Sequence, residues 1–402
     1  MDQSTDILIV GGGIIGLCVA RECAKRWPGL RITIIEKEGS PGEHASGRNS
    51  GVLHAGFYYS AESLKANFTR EGNRALTEYC LNNNLSINRC GKVVVTKDER
   101  DLKGLDELNR RGVKNGVTLK IIDENELRDI EPNARTFSKA LYCPDTSSVD
   151  PKEVVGHIAQ GLMETDGVEI LFGEAFVEPA GPSKIKTTGR TINYKHLVNA
   201  SGLYADKVAH TFGVGLKYSM VPFKGRYIEY KETDLIRVHI YPVPDLERPF
   251  LGVHFTKTVD GKVKVGPTAV PALWRENYKG IDNFKFNELL ESLTLELKLF
   301  YTNKSNFRDA AFDEMKRYFR KNLIREASTM VKEIDYNKFG DYLKPGIRAQ
   351  LLNTGNMTLE MDFVIEEGDS STHILNAVSP AFTCSFPFSA FVVDKIAKRD
   401  LF

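Results

Sequence analysis

The sequence predicts an α/β chain, with one part built on parallel strands and crossover helices and a second, α+β part built on an antiparallel sheet. Three observations carry this expectation. Ile7, Leu8, Ile9 and Val10 form a short apolar run that breaks into Gly11, Gly12 and Gly13 and resumes as helix-compatible sequence over 14–27. A second apolar run over 32–35 ends in an acid, Glu36, and runs of this length and β-branched content read as buried strands. From about Val221 the texture changes to β-like runs over 226–231, 238–241, 250–256 and 263–266, separated by turns that contain proline and glycine. That is the pattern of an antiparallel sheet rather than of another strand–helix–strand series.

The first stretch has a chemistry of its own. Gly11, Gly13 and Gly16 fit the dinucleotide fingerprint of a Rossmann-like unit: the first glycine allows a tight turn, the second admits a pyrophosphate against bare backbone, and the third lets helix pack on strand. The free N–H groups of the helix start then face the phosphates. Glu36 lies 20 residues beyond Gly16, placed to accept hydrogen bonds from an adenosine ribose, and an acid there disfavours a 2′-phosphate. A glycine-rich turn can be only a turn; the flanking strand, helix, second strand and terminal acid give the fingerprint its weight. NAD and FAD both use such a unit, and these residues do not choose between them.

Composition sets outer bounds. A chain of 402 residues with 42% hydrophobic and 27% charged residues has room for two or more domains and a sizeable core. Its formal net charge of +1 points away from nucleic acid as a partner. Cys18, Cys23, Cys80, Cys90, Cys143 and Cys384 are scattered without a CxxC pair, which suits a reducing compartment and small buried side chains rather than metal ligation. No apolar run approaches the roughly 18 residues of a membrane-spanning helix. Because the first strand begins at Asp6, no signal or transit peptide is expected before it. A cytoplasmic setting, or a peripheral one at an inner membrane, follows, and a mitochondrial one if a transit peptide has been removed.

Taken in order, the chain next passes through a polar turn over 37–42 into a stretch rich in small, hydrogen-bonding residues, Ser46, Gly47, Asn49, Ser50 and Gly51 among them. Such a stretch makes a poor helix interior; it suits backbone wrapped around a large polar cofactor, with a surface loop as the plainer alternative. Leu64, Phe68, Ala75, Leu76 and Tyr79 predict a helix over 64–82. A strand over 93–96, a charged helix over 99–115 and a short helix over 123–130 stopped by Pro132 follow. From Lys152 a helix carries Val154, Val155, Ile158, Leu162 and Met163 on one side. Strands are expected over 168–172, 184–188 and 197–200, the last leaving through Ala200, Ser201 and Gly202, a small-residue exit open to a cofactor.

After the antiparallel part, helix is expected over 281–334, with Met315, Tyr318, Phe319, Leu323, Ile324 and Val331 on one stripe. Lys316, Arg317, Arg320, Lys321 and Arg325 give its end, 314–334, a basic face that is either solvated or a peripheral membrane contact. Gly346 and Arg348 lie in the segment 342–352, strands follow over 361–366 and 373–377, and Pro380, Ala381 and Thr383 lead into an apolar helix ending near Lys398. Pro380 suits an early helix position, where free N–H groups stabilise an electron-rich ring edge. There is no internal repeat and no low-complexity linker.

With these stretches assembled, the chain resembles the FAD-dependent glycine oxidase and D-amino acid oxidase superfamily, and within it the L-2-hydroxyglutarate dehydrogenases and oxidases. Beyond the fingerprint the resemblance covers 46–59, 198–206, 221–230, 241–269, 346–350 and 379–385. It implies a discontinuous Rossmann-like FAD-binding domain over 1–86, 145–219 and 337–402, and an antiparallel-sheet α+β substrate-binding domain over 87–144 and 220–336. The FAD contacts it implies are Gly11, Gly13, Ile15, Gly16, Glu36, Lys37, Ser46, Gly47, Asn49, Ser50, Gly51, Val177, Ala200, Gly202, Gly346, Pro380, Ala381 and Thr383, with no metal. The chain departs from the family at the bulky Phe382, where small residues are usual, and at the aromatic Phe386 and Phe388 after it.

The reaction so implied is oxidation of L-2-hydroxyglutarate to 2-oxoglutarate, with a small dicarboxylate as substrate and oxygen, a quinone or a carrier flavoprotein as electron acceptor. The hydroxyl proton must leave towards a base while the Cα hydrogen leaves as hydride to flavin N5. A neutral imidazole suits the first task. His54, in the cofactor-wrapping segment, and His254, on a β-like run, are the candidates; His157, His196, His210 and His239 are expected as surface or core residues. A covalent flavin link is the alternative role for His54. Arg348 is the expected carboxylate fork, with Lys224, Arg226 and Lys257 in reserve, each of them equally readable as a surface cation. Tyr59 and Tyr241 either close the pocket or simply pack. The rival reading is a flavin amine (amino-acid) oxidase on the same fold; further alternatives are an NAD dehydrogenase and a non-catalytic nucleotide- or RNA-associated module.

Overall fold

In the computed structural model, which describes residues 2–245 and 252–399, the first apolar run is the strand Asp2–Val10, with Ile7, Leu8 and Ile9 wholly buried. Strands buried on both faces are apolar throughout, as parallel sheets require. Ile9 pairs in parallel with Ile34 of Ile32–Glu36 on one side and with Val198 of Thr191–Asn199 on the other. The sheet runs in the order Phe176–Gly181, Lys184–Thr187, Thr191–Asn199, Asp2–Val10, Ile32–Glu36, Val168–Phe172. Ser371–Asn376 also pairs in parallel with Thr191–Asn199 and carries Val364–Gly368 beyond it. The helix Ile14–Arg26 packs on Ala381–Ala397 and on Pro151–Met163.

This sheet belongs to one of two compact units, composed of Met1–Arg48, Pro151–Pro222 and Arg348–Phe402. The other consists of Asn49–Asp150 and Phe223–Ile347. The bounds differ from the sequence expectation chiefly at 49–86, which was assigned with the nucleotide part. Hydrogen bonding supplies the reason. Val52–Leu53 and Ile87–Asn88 both pair with Ser147–Val149, and the buried Asn73 amide donates to the carbonyls of Leu53, His54 and Asp145. Two strands, Tyr218–Gly225 and Gly346–Asn353, carry the chain across the division.

The second unit is built on an eight-stranded sheet in the order Phe339–Tyr342, Ile228–Tyr230, Val263–Gly266, His254–Lys257, His239–Pro242, Lys92–Val95, Ala140–Cys143, Lys120–Ile122. It is antiparallel except where His239–Pro242 lies parallel to Lys92–Val95. Alternation along the strands gives it two buried faces. Val93, Val95, Ile240 and Phe255 pack with the helix residues Leu323, Ile324 and Ala327, whereas Val94, Leu141, Cys143 and Tyr241 pack with Phe57, Tyr58, Leu105 and Leu108. The run expected over 250–256 is a strand only from His254, and residues 250–251 lie outside the described residues.

The helical stretch expected over 281–334 holds three helices, Phe286–Thr302, Phe307–Tyr318 and Arg320–Ser328, and the last helix expected over 314–334 is divided between two of them. Phe319 breaks it with an extended backbone, φ −79° and ψ 118°. The expected stripe divides there: Met315, Tyr318 and Phe319 are exposed, while Leu323, Ile324 and Val331 are buried. A helical period read across a break lines up residues that face different ways.

Candidate active site

Backbone surrounds the glycine turn at close range. A Cβ on Gly11, whose φ is +115°, would lie 2.5 Å from the Ala200 carbonyl oxygen, and one on Gly16 would lie 2.0 Å from the Gly11 carbonyl oxygen. Neither position admits a side chain. Gly13 begins the helix Ile14–Arg26 without a side-chain cap, and the first turn, with the buried Ile15 and Gly16, carries no acid. Ser46 accepts from the Ile14 N–H at 2.9 Å. The nearly buried Glu36 carboxylate is held by two main-chain donors, Gly12 N–H at 2.7 Å and Glu38 N–H at 2.9 Å, so its remaining lone pairs are oriented. Bare backbone, helix-start N–H donors and one fixed carboxylate are the donor set that a dinucleotide's pyrophosphate and ribose require, and no residue of the turn stands against that fit.

The other expected cofactor contacts are more varied. A Cβ on Gly47 would meet the Gly42 carbonyl oxygen at 2.3 Å, so this loop too is folded tightly on itself. Asn49 accepts from Gly51 N–H at 2.8 Å and Ser50 from Val52 N–H at 3.3 Å, which makes their side chains turn-formers in the second unit. Gly202, with φ +56°, starts a short 3₁₀ turn. Lys37 forms an ion pair with Glu38 and lies over the Tyr204 ring at 5.8 Å. Val177 is exposed on its strand, and Gly346 is the half-buried start of Gly346–Asn353. Pro380 caps Ala381–Ala397 without a side-chain hydrogen bond, and Ala381 and Thr383 are buried in its first turn. Of the aromatic departures, Phe388 stacks on Phe363 at 4.2 Å and Phe386 takes the Arg21 guanidinium on its face at 4.6 Å.

In the second unit, Tyr241 and His254 come together. Their rings stack at 3.7 Å with 17° between planes, and both are buried. His254 Nδ1 is 2.9 Å from the Gly252 carbonyl oxygen. A carbonyl only accepts, so Nδ1 carries the proton and Nε2 presents its lone pair. Burial and the nearby Lys92 cation push the imidazole down to about 3, keeping it neutral at working pH. His54 is also buried, at the end of Val52–Leu53, and Tyr59 packs half-buried beside Phe57 and Tyr58.

Another imidazole, His239, on the strand that carries Tyr241, lies 3.5 Å from Cys90 Sγ and 3.4 Å from Ser148 Oγ through Nε2. This resembles a nucleophile and its base only superficially. His239 Nδ1 accepts from Lys257 N–H at 3.1 Å, so Nε2 is the protonated nitrogen and cannot take a proton from either group. Burial raises the Cys90 thiol to about 11, far from a thiolate. All six cysteines are free.

The expected carboxylate-binding cations separate by environment. Lys224 donates to Asn277 Oδ1 at 2.8 Å, and burial, with Arg226 nearby, lowers it to about 8. Arg226 lies against the Tyr318 and Tyr342 rings at 4.4 and 4.5 Å and donates to the Tyr318 carbonyl oxygen. Lys257 donates to the Thr233 carbonyl oxygen at 2.7 Å. Those contacts engage Arg226 and Lys257 in packing. Arg348 is half-buried on Gly346–Asn353. The residue that sequence reasoning passed over is Lys92, wholly buried at the head of the strand Lys92–Val95; its signal was a single charge at the start of an otherwise all-valine run.

Comparison with known proteins supports the fold and the cofactor. A family model described as FAD dependent oxidoreductase matches residues 6–377. The mitochondrial L-2-hydroxyglutarate dehydrogenase of Homo sapiens is 35% identical, covering 99% of this chain and 89% of the relative. The L-2-hydroxyglutarate dehydrogenase of Escherichia coli strain K12 is 32% identical over 97% and 93%. Among solved structures, L-alpha-glycerophosphate oxidase from Mycoplasma pneumoniae superposes with a TM-score of 0.76 at 19% identity, covering 97% of this chain and 94% of that one. Glycine oxidase from Geobacillus kaustophilus gives 0.70 at 17%, with 99% and 95% covered. At those identities the two structures speak for the fold. The glycine cradle with its fixed carboxylate and the full-length likeness together make this chain a member of the FAD dependent oxidoreductase family, grouped within it with the L-2-hydroxyglutarate dehydrogenases.

Proposed function

We propose that this chain oxidises L-2-hydroxyglutarate to 2-oxoglutarate. Likeness to enzymes of that name along nearly the whole chain supports the substrate, and one observation supports the chemistry: His254 is a buried, neutral imidazole whose tautomer leaves Nε2 as acceptor. When bound, FAD supplies the acceptor for the Cα hydrogen. The rest falls to side chains. His254 takes the hydroxyl proton, Arg348 pairs bidentately with one carboxylate, and Lys224, lowered yet still mostly protonated at pH 7, serves the other. The amino-acid oxidase alternative is disfavoured by charge. The face that carries Tyr241 and His254 holds a buried ammonium, Lys92, with no hydrogen-bond partner among the described residues, and a second ammonium brought there by an amino-acid substrate would be repelled.

The proposal extends to where the electrons go. Along Phe286–Thr302, Phe286, Leu290, Leu293, Leu297 and Phe300 recur at helical spacing and all are exposed, Leu297 to 67%, with the adjacent Tyr301 at 88%. Phe312 continues this surface from the next helix, its ring 5.7 Å from that of Phe300. An apolar stripe normally faces a core, and one that faces outward marks a docking surface. Lys298 on the same helix and Lys304 and Arg308 in the segment after it are exposed, as is the acid Asp309. Glu296, one turn from both Leu293 and Phe300, is raised by burial to about 8 and is therefore uncharged at neutral pH. Apolar stripe, flanking cations and a neutralised acid suit an anionic bilayer surface. No helix among the described residues is long and apolar enough to cross a membrane. Of oxygen, quinone and carrier flavoprotein, a quinone dissolved in that bilayer is the acceptor such a contact would serve.

Each of these assignments has an expected outcome. Glu36→Ala removes the carboxylate from both Gly12 N–H and the ribose, at a cost of about 1–3 kcal/mol for charge-assisted hydrogen bonds; the purified variant should lose FAD on dilution, and full flavin with unchanged affinity sinks the assignment. In steady-state kinetics with L-2-hydroxyglutarate, His254→Asn should lower kcat by roughly 10²- to 10⁴-fold with flavin retained. Arg348→Met should lower kcat/KM by about 2–5 kcal/mol equivalent. His54→Asn should keep most of the turnover; the opposite ranking of the two histidines makes His54 the base, and near-normal Arg348→Met turns the fork over to Lys224. For the membrane contact, Leu297→Glu should weaken co-sedimentation with vesicles rich in anionic lipid by at least about tenfold, since burying one leucine is worth about 1.5–3 kcal/mol. Wild-type protein that ignores such vesicles, or that dimerises through this face, contradicts it.

A further inference from the structure

Lys92 is wholly buried, and its Nζ has no hydrogen-bond partner among the described residues. Arg275, a cation buried to a similar degree, meets Glu291 at 3.2 Å. Lys92 meets rings instead: its Nζ lies 4.1 Å from the Tyr241 centroid, 5.3 Å from Tyr58 and 5.6 Å from Phe57. An ammonium withdrawn from water without an acceptor is strongly disfavoured, and aromatic faces offset only part of that. Such a residue is not explained by packing, because a methionine of the same length would fill the space without the charge.

Sheet order adds a direction. The strands Lys92–Val95 and His254–Lys257 flank His239–Pro242 on opposite sides. Tyr241 therefore has the Lys92 ammonium to one side and the His254 ring, stacked on it, to the other. We propose that Lys92 is a positioning residue for the reaction, its ammonium clamping the Tyr241–His254 stack in place and opposing protonation of the His254 imidazole. The inference rests on the reading of His254 as proton acceptor and adds what keeps that acceptor ready.

Among the described groups around His254, Lys92 is the cation without a carboxylate partner. From His239–Pro242, His239 is held far below its ordinary range by burial and is neutral, and burial keeps the Tyr241 phenol protonated. From Val263–Gly266 the residue opposite His254 is Gly266, which has no side chain. At Gly252, whose carbonyl fixes the tautomer, Arg317 is paired with Glu326 at 2.7 and 2.9 Å and also with Glu314, so this cluster offers no unpaired cation to His254. Lys92 itself is lowered by burial to about 8 and stays largely protonated at pH 7. A cation lowers the pKa of a neighbouring imidazole. With the cation removed, His254 takes a proton at higher pH, and the acid limb of activity moves upward.

The test compares wild type with Lys92→Met, Lys92→Gln and Lys92→Arg, all loaded with FAD. Two quantities are read: the NMR titration of the His254 ring, assigned by its loss in His254→Asn, and the pH profile of kcat/KM for L-2-hydroxyglutarate. Both neutral variants should raise the His254 pKa and the acid limb together by about 1 unit, a tenfold loss of kcat/KM below the limb, while Lys92→Arg keeps both near wild type. A merely structural lysine would lower stability or kcat at every pH without moving either titration. If the His254 titration stays put in Lys92→Met and Lys92→Gln, the inference about Lys92 is overturned. If it moves while the kinetic limb does not, His254 is not the proton acceptor, and Lys92 loses its part in the reaction with it. Should Lys92→Met fail to fold, Lys92→Gln, which can still hydrogen-bond, gives the same reading.

Discussion

The carbonyl of Gly11 occupies the space that a side chain on Gly16 would need, 2.0 Å from that missing Cβ, and much of the first unit is arranged around this contact. It brings the start of Ile14–Arg26 down onto the end of the central strand, so helix-start N–H groups converge beyond the sheet. The Glu36 carboxylate then holds the same turn from the neighbouring strand through the Gly12 N–H. Ser46 closes it from the following loop through the Ile14 N–H. Any Cβ at Gly16 would separate helix from strand, and the donors would no longer converge. The feature that makes the turn bind a dinucleotide is thus also the one that fixes how the helix packs.

The second unit solves a different electrostatic problem. Its buried sheet face carries Lys92, His239, Tyr241 and His254, and the two imidazoles are kept neutral by burial and by the same cation. Main-chain groups then decide which nitrogen of each ring is the acceptor. Gly252 O takes the His254 Nδ1 proton and frees Nε2, whereas Lys257 N–H donates to His239 Nδ1 and leaves Nε2 protonated. Two histidines with similar surroundings are in this way given opposite hydrogen-bonding roles, and only His254 can act as a base through Nε2.

What was legible in the sequence follows from how local the cause is. Gly11, Gly13, Gly16 and Glu36 announce themselves because strand, turn, helix and acid are consecutive, and helices such as Leu64–Asn82 and strands such as Val168–Phe172 follow from their own periodicity. The helical stretch expected over 281–334 failed at Phe319, where no proline or glycine marks the break. Its apolar period also hid the finding that Leu290, Leu293 and Leu297 face outward, since the spacing of a stripe does not say what covers it. Residues 49–86 join the second unit through Asn73, which reaches Asp145 across 72 positions, and through the pairing of Val52 with Ser148, farther apart still in sequence. Lys92 was missed for the same reason: its meaning depends on Tyr241 and His254, brought beside it by a parallel pairing that nothing near Lys92 encodes.

A 2-hydroxy dicarboxylate as electron donor is the chemical premise on which the roles of His254, Arg348 and Lys92 depend. The most direct measurement is anaerobic mixing of the FAD-loaded protein with L-2-hydroxyglutarate, D-2-hydroxyglutarate and L-glutamate in parallel, following the absorbance of the oxidised flavin. Rapid bleaching by L-2-hydroxyglutarate, with the D enantiomer and L-glutamate leaving the spectrum unchanged on the same timescale, is the predicted result. Bleaching by L-glutamate while L-2-hydroxyglutarate has no effect would contradict it and return the chain to the amino-acid oxidases.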